Sequence, residues 1–260
     1  MRVAQAPFHK CESQIAESRW PSGAASLDAA LAGGFACGRV HEVYAAEADD
    51  AAAAAGFVAA LASGMSEDRR RPLLWLRTRR DAGRTGTLQA NGWAELGGRP
   101  ERCLFGLVAD EKMLLRAAVD ALRSAAPGAV VIEGWGKMSG LDLTASRRLV
   151  LAAEKSGVPL FVLRIDACPS SSAAQTRWQV SAAPSRALPG HAPGRPVFAI
   201  ELLRQRSGPA GLAWKLEWNR DQRMFREASL SGAVVPVPAG GAAADSRAGT
   251  IRPVIGRRAA

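Results

Sequence analysis

The sequence predicts an α/β fold in which a mainly parallel, twisted sheet is flanked by helices. Between residues 40 and 165, short apolar runs of strand length alternate with longer helical segments. Most of these strand runs are apolar at successive positions, which is typical of strands buried on both faces. Hydrophobic residues make up 48% of the 260, enough to bury a sizeable core. Such alternation indicates parallel strands joined by helical crossovers.

The predicted elements follow in chain order. Leu27, Ala30 and Leu31 have the spacing of a helix, which Gly33 and Gly34 end. The alanine run at 51–64 favours a helix because alanine is the best helix former. Further helices are predicted at 88–96, 111–125 and 141–156. The predicted strands are 40–44, 73–76, 102–107, 129–132 and 159–165.

The pattern changes after residue 166. Residues 177–181 read as extended, and 197–206 and 212–220 form a predicted β-hairpin across the Gly- and Pro-containing turn at 207–211. The last stretch is rich in Pro, Gly, Ala and Arg without a periodic apolar face, which predicts a disordered tail. We therefore expect a leader over 1–20, one domain over 21–230 and a flexible tail over 231–260.

Charge and cysteine content exclude several classes of protein. The formal charge of +10 favours contact with nucleic acid or an acidic partner, and an arginine-rich solvated surface would give the same sum. The four cysteines form no CxxC pair and only three histidines are present, so we expect neither a metal site nor a disulfide framework. No apolar run reaches the about 20 residues that span a membrane, and no signal peptide is visible. We expect a cytoplasmic protein.

Residues 20–135 resemble the RecA-type ATPase core. The segment SLDAALAGGFACGRVHEVY is similar to the helix, glycine turn and first core strand of that family. In RecA-like proteins a Gly-rich phosphate loop follows, whose N–H groups, Lys and hydroxyl hold the phosphates and Mg²⁺. Here that loop reads AAEADDAAA, beginning at Ala45. Asp50 stands in place of the last glycine, Ala51 in place of the Lys and Ala52 in place of a hydroxyl.

Two further positions depart from the ATPase pattern. Arg79 follows the second core strand at the place of the water-activating Glu, so the general base is absent. Glu133, at the end of the fourth strand, is the one acid that remains. The resemblance and these departures together predict a protein that is not an enzyme and binds no nucleotide cofactor.

Within the RecA-like group the chain resembles the ImuA family, which is RecA-like and SulA-related. The resemblance covers roughly residues 15–225 and depends on the order of several short motifs rather than on any one of them. These motifs are WPSG at 20–23, GRVHEV at 38–43, LWL at 74–76, DLTASRRL at 142–149, SSAAQTRW at 171–178, ELLRQR at 201–206 and WKLEW at 214–218.

The ImuA resemblance implies a non-catalytic accessory protein of SOS-induced translesion DNA synthesis, located in the cytoplasm at the nucleoid. It implies an ImuB-like partner related to the Y-family polymerases and an error-prone replicative-type polymerase, with RecA and DNA as further candidate partners. Two alternatives stay open. One is a RecA-like ATPase or DNA-binding protein with an unorthodox site, and the other is a SulA-like inhibitor of cell division.

Several basic or aromatic residues are candidate contacts for DNA or a partner protein, because arginine binds phosphates and carboxylates and tryptophan stacks on bases. Each has a plainer interpretation as a solvated or core side chain. In RecA the two DNA-binding loops follow the fourth and fifth core strands, which places them here near 134–141 and 167–175. The candidates are Arg69, Arg70, Arg71, Trp135, Lys137, Arg147, Arg148, Arg177, Arg252, Arg257 and Arg258.

Overall fold

A nine-stranded sheet organises the part of the chain that the computed structural model describes, which is residues 18–68, 70–85, 88–192 and 194–228. The strands are β1 (Arg19–Trp20), β2 (Phe35–Ala36), β3 (Val40–Ala45), β4 (Leu73–Thr78), β5 (Cys103–Val108), β6 (Ala129–Trp135), β7 (Leu160–Ile165), β8 (Thr176–Ala183), β9 (Val197–Gln205), β10 (Leu212–Asn219) and β11 (Met224–Glu227). The helices are α1 (Ala25–Ala30), α2 (Ala51–Asp68), α3 (Arg79–Thr85), α4 (Ala90–Glu95), α5 (Glu111–Ser124) and α6 (Leu143–Ser156).

The order of strands across the sheet is β11-β10-β9-β8-β3-β7-β6-β4-β5. The six strands from β8 to β5 are parallel, and β9, β10 and β11 continue the sheet in antiparallel pairs. A separate two-stranded pair joins β1 to β2. The predicted mainly parallel α/β sheet is confirmed.

Helices cover both faces of this sheet. Helix α2 packs on one face, where Phe57 and Leu61 are fully buried beside Ala129 and Val131 of β6. Helices α5 and α6 pack on the other face over Val130 and its neighbours. Successive strand residues point to opposite faces, so one apolar strand supplies both cores. Helix α2 is rich in alanine and apolar nearly all round, as suits a helix enclosed by the fold.

Local sequence signals set several helix ends. The Asp110 carboxylate accepts a hydrogen bond from the N–H of Met113 (2.8 Å) and caps α5. Asp142 caps α6 in the same way through the N–H of Ala145 (2.7 Å). Gly34, one of the two glycines predicted to end α1, has a φ of 112° and lies against the Trp20 backbone, where a Cβ would come within 2.2 Å of the carbonyl oxygen.

The predicted helices and strands occur, but the sequence missed four elements. Helix α3 has no apolar face to reveal it, and it begins where the Thr78 hydroxyl accepts a hydrogen bond from the N–H of Asp81 (3.1 Å). Strands β1, β2 and β11 have two to four residues, too few for a periodic signal. The predicted C-terminal hairpin is β9 and β10, which continue the main sheet beyond β8. Most of the predicted leader, and the tail over 231–260, lie outside the described residues.

Candidate functional site

The connection from β3 to α2, where the sequence departs from a phosphate loop, is a short acidic turn. The N–H of Ala46 donates to the Val180 oxygen (2.9 Å), so the chain still follows β8 after β3 ends. A single 3-10 turn over Ala48–Asp50 then leads into α2. The Asp50 carboxylate accepts a hydrogen bond from the N–H of Ala182 (2.7 Å), which ties the turn to β8. Negative side chains here suit a helix N-terminus and disfavour a phosphate.

Glu133, the acid that remains at the end of the fourth core strand, is enclosed by two side chains of β4. The Trp75 indole N–H donates to Glu133 Oε2 (2.9 Å), and Arg77 Nη2 lies 3.7 Å from Oε1. Arg77 pairs with Glu133 in the β4–β6 register, and Trp75 is two residues earlier, so all three side chains leave the sheet on one face. None of the three is more than 5% exposed.

The surroundings of Glu133 determine its protonation and its partners. Burial raises the pKa of Glu133, the Arg77 guanidinium and the Trp75 hydrogen bond oppose this, and Asp81 adds to the rise, so that the net shift of the pKa is upward. The carboxylate is thus satisfied within the protein. A divalent cation brought to this carboxylate would meet the Arg77 guanidinium beside it.

Arg79, which the sequence placed where the general base would stand, is the first residue of α3 and is exposed. The neighbouring Arg77 is the side chain that reaches Glu133, a role that sequence reasoning missed. The sequence signal that could have found it is the alternation of side chains along a strand. Arg77 and the buried Trp75 are two residues apart on one strand and therefore lie on the same face of the sheet.

A cavity of about 420 Å³ opens at the carboxyl ends of β4 and β6, and it brings together two predicted site residues, Trp135 and Lys137. Arg80 and Arg84 of α3 line the same cavity. Trp135 also packs against the core on the α2 side, and its indole N–H is buried without a hydrogen-bond partner among the described residues. The acidic residues of the lining include Asp110 and Glu111, and these are engaged, since Asp110 caps α5 and Glu111 accepts a hydrogen bond from the N–H of Gly140 (2.6 Å).

Arg177, another predicted contact residue, holds the loop after β7 in place. Its Nε lies 2.8 Å from Glu42 Oε2, and its Nη2 donates to the Ser172 hydroxyl (3.0 Å) and to the Ser170 carbonyl oxygen. The Tyr44 ring lies between two guanidinium groups, those of Arg164 and Arg177, each 5.7 Å from the ring centroid. Arg164 donates to the Gly136 oxygen (3.0 Å), so the same cluster anchors the loop after β6.

The remaining candidate residues do not form one surface. Arg70 and Arg71 precede β4 and so lie at the amino edge of the parallel strands, opposite the cavity, and Arg71 donates to the Ala125 oxygen (2.9 Å). Arg147 and Arg148 are exposed on α6. Four other candidates lie outside the described residues: Arg69, Arg252, Arg257 and Arg258.

Two other features are absent from the described residues. Within them no group of three or more His, Cys, Asp or Glu side chains is placed to hold a metal ion. In the same part of the chain, every helix is too short or too polar to cross a membrane.

The fold defines the class of protein. The crystal structure of the RadB recombinase is similar to this chain with a TM-score of 0.52 and 18% sequence identity, over 80% of this chain and 98% of that chain. The fold is therefore RecA-like, as the sequence predicted.

The family follows from sequence similarity. Protein ImuA of Caulobacter vibrioides, from strains NA1000 / CB15N and CB 15, is 34% identical over 209 residues, which cover 75% of this chain and 81% of that protein. The chain belongs to the ImuA family, which confirms the predicted assignment. No protein-family model matches the sequence.

Proposed function

We propose that this ImuA-family chain is a RecA-like accessory protein without ATPase activity. It acts as a protein-interaction scaffold in SOS-induced translesion synthesis, at the nucleoid, together with an ImuB-like partner and an error-prone replicative-type polymerase. The observation that carries the proposal is the β3–α2 turn, which has alanines in place of the phosphate-loop Lys and hydroxyl and is tied to β8 through Asp50.

The charges around the turn support the loss of nucleotide binding. A triphosphate needs converging N–H groups and a cation, and this turn offers Glu47, Asp49 and Asp50 instead. The acid that could hold Mg²⁺, Glu133, lies beside the Arg77 guanidinium. Without that chemistry, we infer that the RecA-like core serves to bind other proteins, a role that has to be argued from its surfaces because a fold alone does not imply a function.

Calorimetry of the full chain with Mg·ATP tests the loss of nucleotide binding. We expect no saturable heat up to millimolar ATP, with an active RecA-type ATPase as the positive control. Saturable binding near one ATP per chain, together with hydrolysis that Glu133→Gln abolishes, would contradict the proposal.

Co-purification tests the scaffold role. The tagged full chain is expected to retain an ImuB-like protein from the same genome through a wash at moderate salt, and to bring down the polymerase only when that protein is present. Removal of residues 236–260 then locates the contribution of the tail. Failure of the two purified proteins to associate would count decisively against the scaffold.

A second function, contact with single-stranded DNA, is favoured by the cavity that gathers Trp135 and Lys137 with Arg80 and Arg84. In fluorescence anisotropy with a single-stranded oligonucleotide, Lys137→Ala and Arg84→Ala should weaken binding and reduce its salt dependence. Arg123→Ala, at the far end of α5, is the matched control. Equal weakening by all three variants would assign the affinity to net charge alone.

A further inference from the structure

Strand β5 forms one edge of the main sheet and exposes three large apolar side chains. Leu104 is 57% exposed, Phe105 43% and Leu107 46%. Nine large apolar side chains among the described residues are at least 36% exposed, and three of them fall within this six-residue strand. Exposed apolar edge strands pair readily with another chain unless they are protected.

The three side chains occupy both faces of the strand. Phe105 and Leu107 share one face, where the Phe105 ring lies 6.4 Å from the Trp93 ring, and Leu104 is on the other. Within the described residues β5 pairs with β4 alone, so its outer backbone groups face outward over the whole strand. An added strand would therefore gain both main-chain hydrogen bonds and apolar contacts.

The opposite edge of the sheet, at β11, is protected against pairing with another chain. Strand β11 has four residues, and the N–H of Phe225 within it donates to the Ser22 oxygen (2.7 Å) of the N-terminal region. Short edge strands covered by another segment are a usual way to prevent edge pairing. The β5 edge has neither of these protections among the described residues.

The charges beside β5 indicate what would bind there. Helices α3 and α5 border the strand, and their exposed charged side chains are mostly basic. The basic ones are Arg79, Arg80, Arg84, Lys112, Arg116 and Arg123, against one exposed carboxylate among the described residues of these helices, Asp120. The whole chain carries +10, which opposes docking of a second copy. The chain's own terminal stretch after residue 245 is also basic, with Arg247, Arg252, Arg257 and Arg258. An acidic segment is the complementary occupant.

We propose that the β5 edge accepts an extended segment of a partner protein in which acidic and apolar side chains alternate. The segment adds to the sheet as a further strand, with apolar side chains on Leu104 or on Phe105 and Leu107, and carboxylates toward the neighbouring guanidinium groups. The inference rests on the proposed scaffold function, which requires a partner protein. It adds where on this chain the partner binds and which side chains the partner's segment presents.

The test uses the full chain and a fluorescent ten-residue peptide of alternating valine and glutamate. Anisotropy should show saturable binding that Leu104→Glu and Leu107→Glu each weaken by roughly tenfold or more, because like charges then face each other. Leu151→Glu is the matched control, since Leu151 is 65% exposed on α6 and the charge change is the same. We expect that variant to bind within about twofold of wild type. Circular dichroism melts check that all three variants are folded.

Two further measurements sharpen the test. A peptide with lysine in place of glutamate should bind at least about tenfold more weakly, since it faces guanidinium groups. Hydrogen exchange should show that the outward-facing amides of residues 103–108, those not bonded to β4, become protected only when the glutamate peptide is added.

Several outcomes would overturn the inference. These are no binding of the glutamate peptide, equal loss in the Leu151→Glu control, and equal binding of the lysine peptide. Protection of the outward-facing amides of 103–108 in the chain alone would mean that the edge is already covered, by a second copy if sedimentation shows a dimer and by the chain's own segment if it shows a monomer.

The failure of this inference can be told apart from the failure of the proposed function. If the ImuB-like protein co-purifies equally with wild type and with Leu104→Glu, the docking surface is wrong and the scaffold role stands. If the peptide binds as expected while the ImuB-like protein never co-purifies, the scaffold role is wrong and the docking surface stands.

Discussion

Replacing Arg177 with methionine should destabilise the fold strongly, because it leaves the buried Glu42 carboxylate without its partner. The Arg177 side chain is 11% exposed and that of Glu42 is 4% exposed, and their charged atoms are 2.8 Å apart. The substitution also removes the hydrogen bonds from the guanidinium to Ser170 and Ser172 that hold the loop after β7. Methionine keeps much of the side-chain volume, so the lost charge is the main change.

The magnitude follows from the burial of the pair. Breaking a buried ion pair by removing one partner costs about 3–5 kcal/mol, since the remaining charge stays in a poorly solvated place. At about 2–4 °C per kcal/mol for a domain of this size, the melting temperature should fall by about 6–20 °C. Removing both charges, as in Arg177→Met with Glu42→Leu, should restore most of the loss.

Urea denaturation followed by circular dichroism is the assay. Arg147→Met is the control, because Arg147 is exposed on α6 and the same charge is lost there. Its effect should stay within about 0.5 kcal/mol. The reasoning would be refuted if Arg177→Met and Arg147→Met had equal effects, or if the double variant were less stable than Arg177→Met alone.

Three other predictions concern packing, protonation and reactivity. Gly64→Ala should destabilise by about 1–3 kcal/mol, because the new Cβ would lie 2.3 Å from an indole carbon, while Gly56→Ala on the same helix, with 3.4 Å of room, should stabilise by up to about 1 kcal/mol. Urea denaturation should therefore show that the two substitutions change the free energy of unfolding in opposite directions, and a change in the same direction would contradict the prediction. Burial raises the pKa of Glu133 in the folded state, so the stability of wild type relative to Glu133→Gln should be greatest below pH 4.5 and fall as the pH rises through the folded-state pKa. A difference that does not change with pH contradicts this. Burial raises the pKa of Cys103 to about 12, so iodoacetamide at pH 8 should label Cys103 at least about tenfold more slowly than the exposed Cys168 in peptide mapping, and equal rates would be evidence against that burial.

The turn after β3 illustrates a feature that local sequence is sufficient to predict. Three acidic residues and a run of alanines stand where the RecA resemblance predicts glycines, a lysine and a hydroxyl. Their identities can be read from the sequence without knowing which segments pack beside them. The hydrogen bond from the Ala182 N–H to Asp50 could not be predicted, because the two residues are 132 positions apart.

The buried ion pairs are a feature that local sequence is not sufficient to predict. Arg77 and Arg177 look alike in the sequence as basic residues near strands, and the sequence offered Arg177 as a surface contact. In the structure each lies beside a carboxylate on a neighbouring strand, Glu133 and Glu42 respectively. The register of the sheet makes these pairs, and register depends on how distant segments pack.

By itself the sequence determined the alternation of strands and helices, the acidic, alanine-rich composition of the turn after β3 and the family. These depend on short-range periodicity and residue identity, both of which are local. Only the tertiary structure decided the order of the strands and therefore which apolar strand is enclosed. The runs of β4 and β5 are both apolar, yet β4 lies between two strands and is largely buried, while β5 lies at the edge and exposes Leu104, Phe105 and Leu107. Burial depends on neighbours, and the neighbours of a strand come from distant parts of the chain.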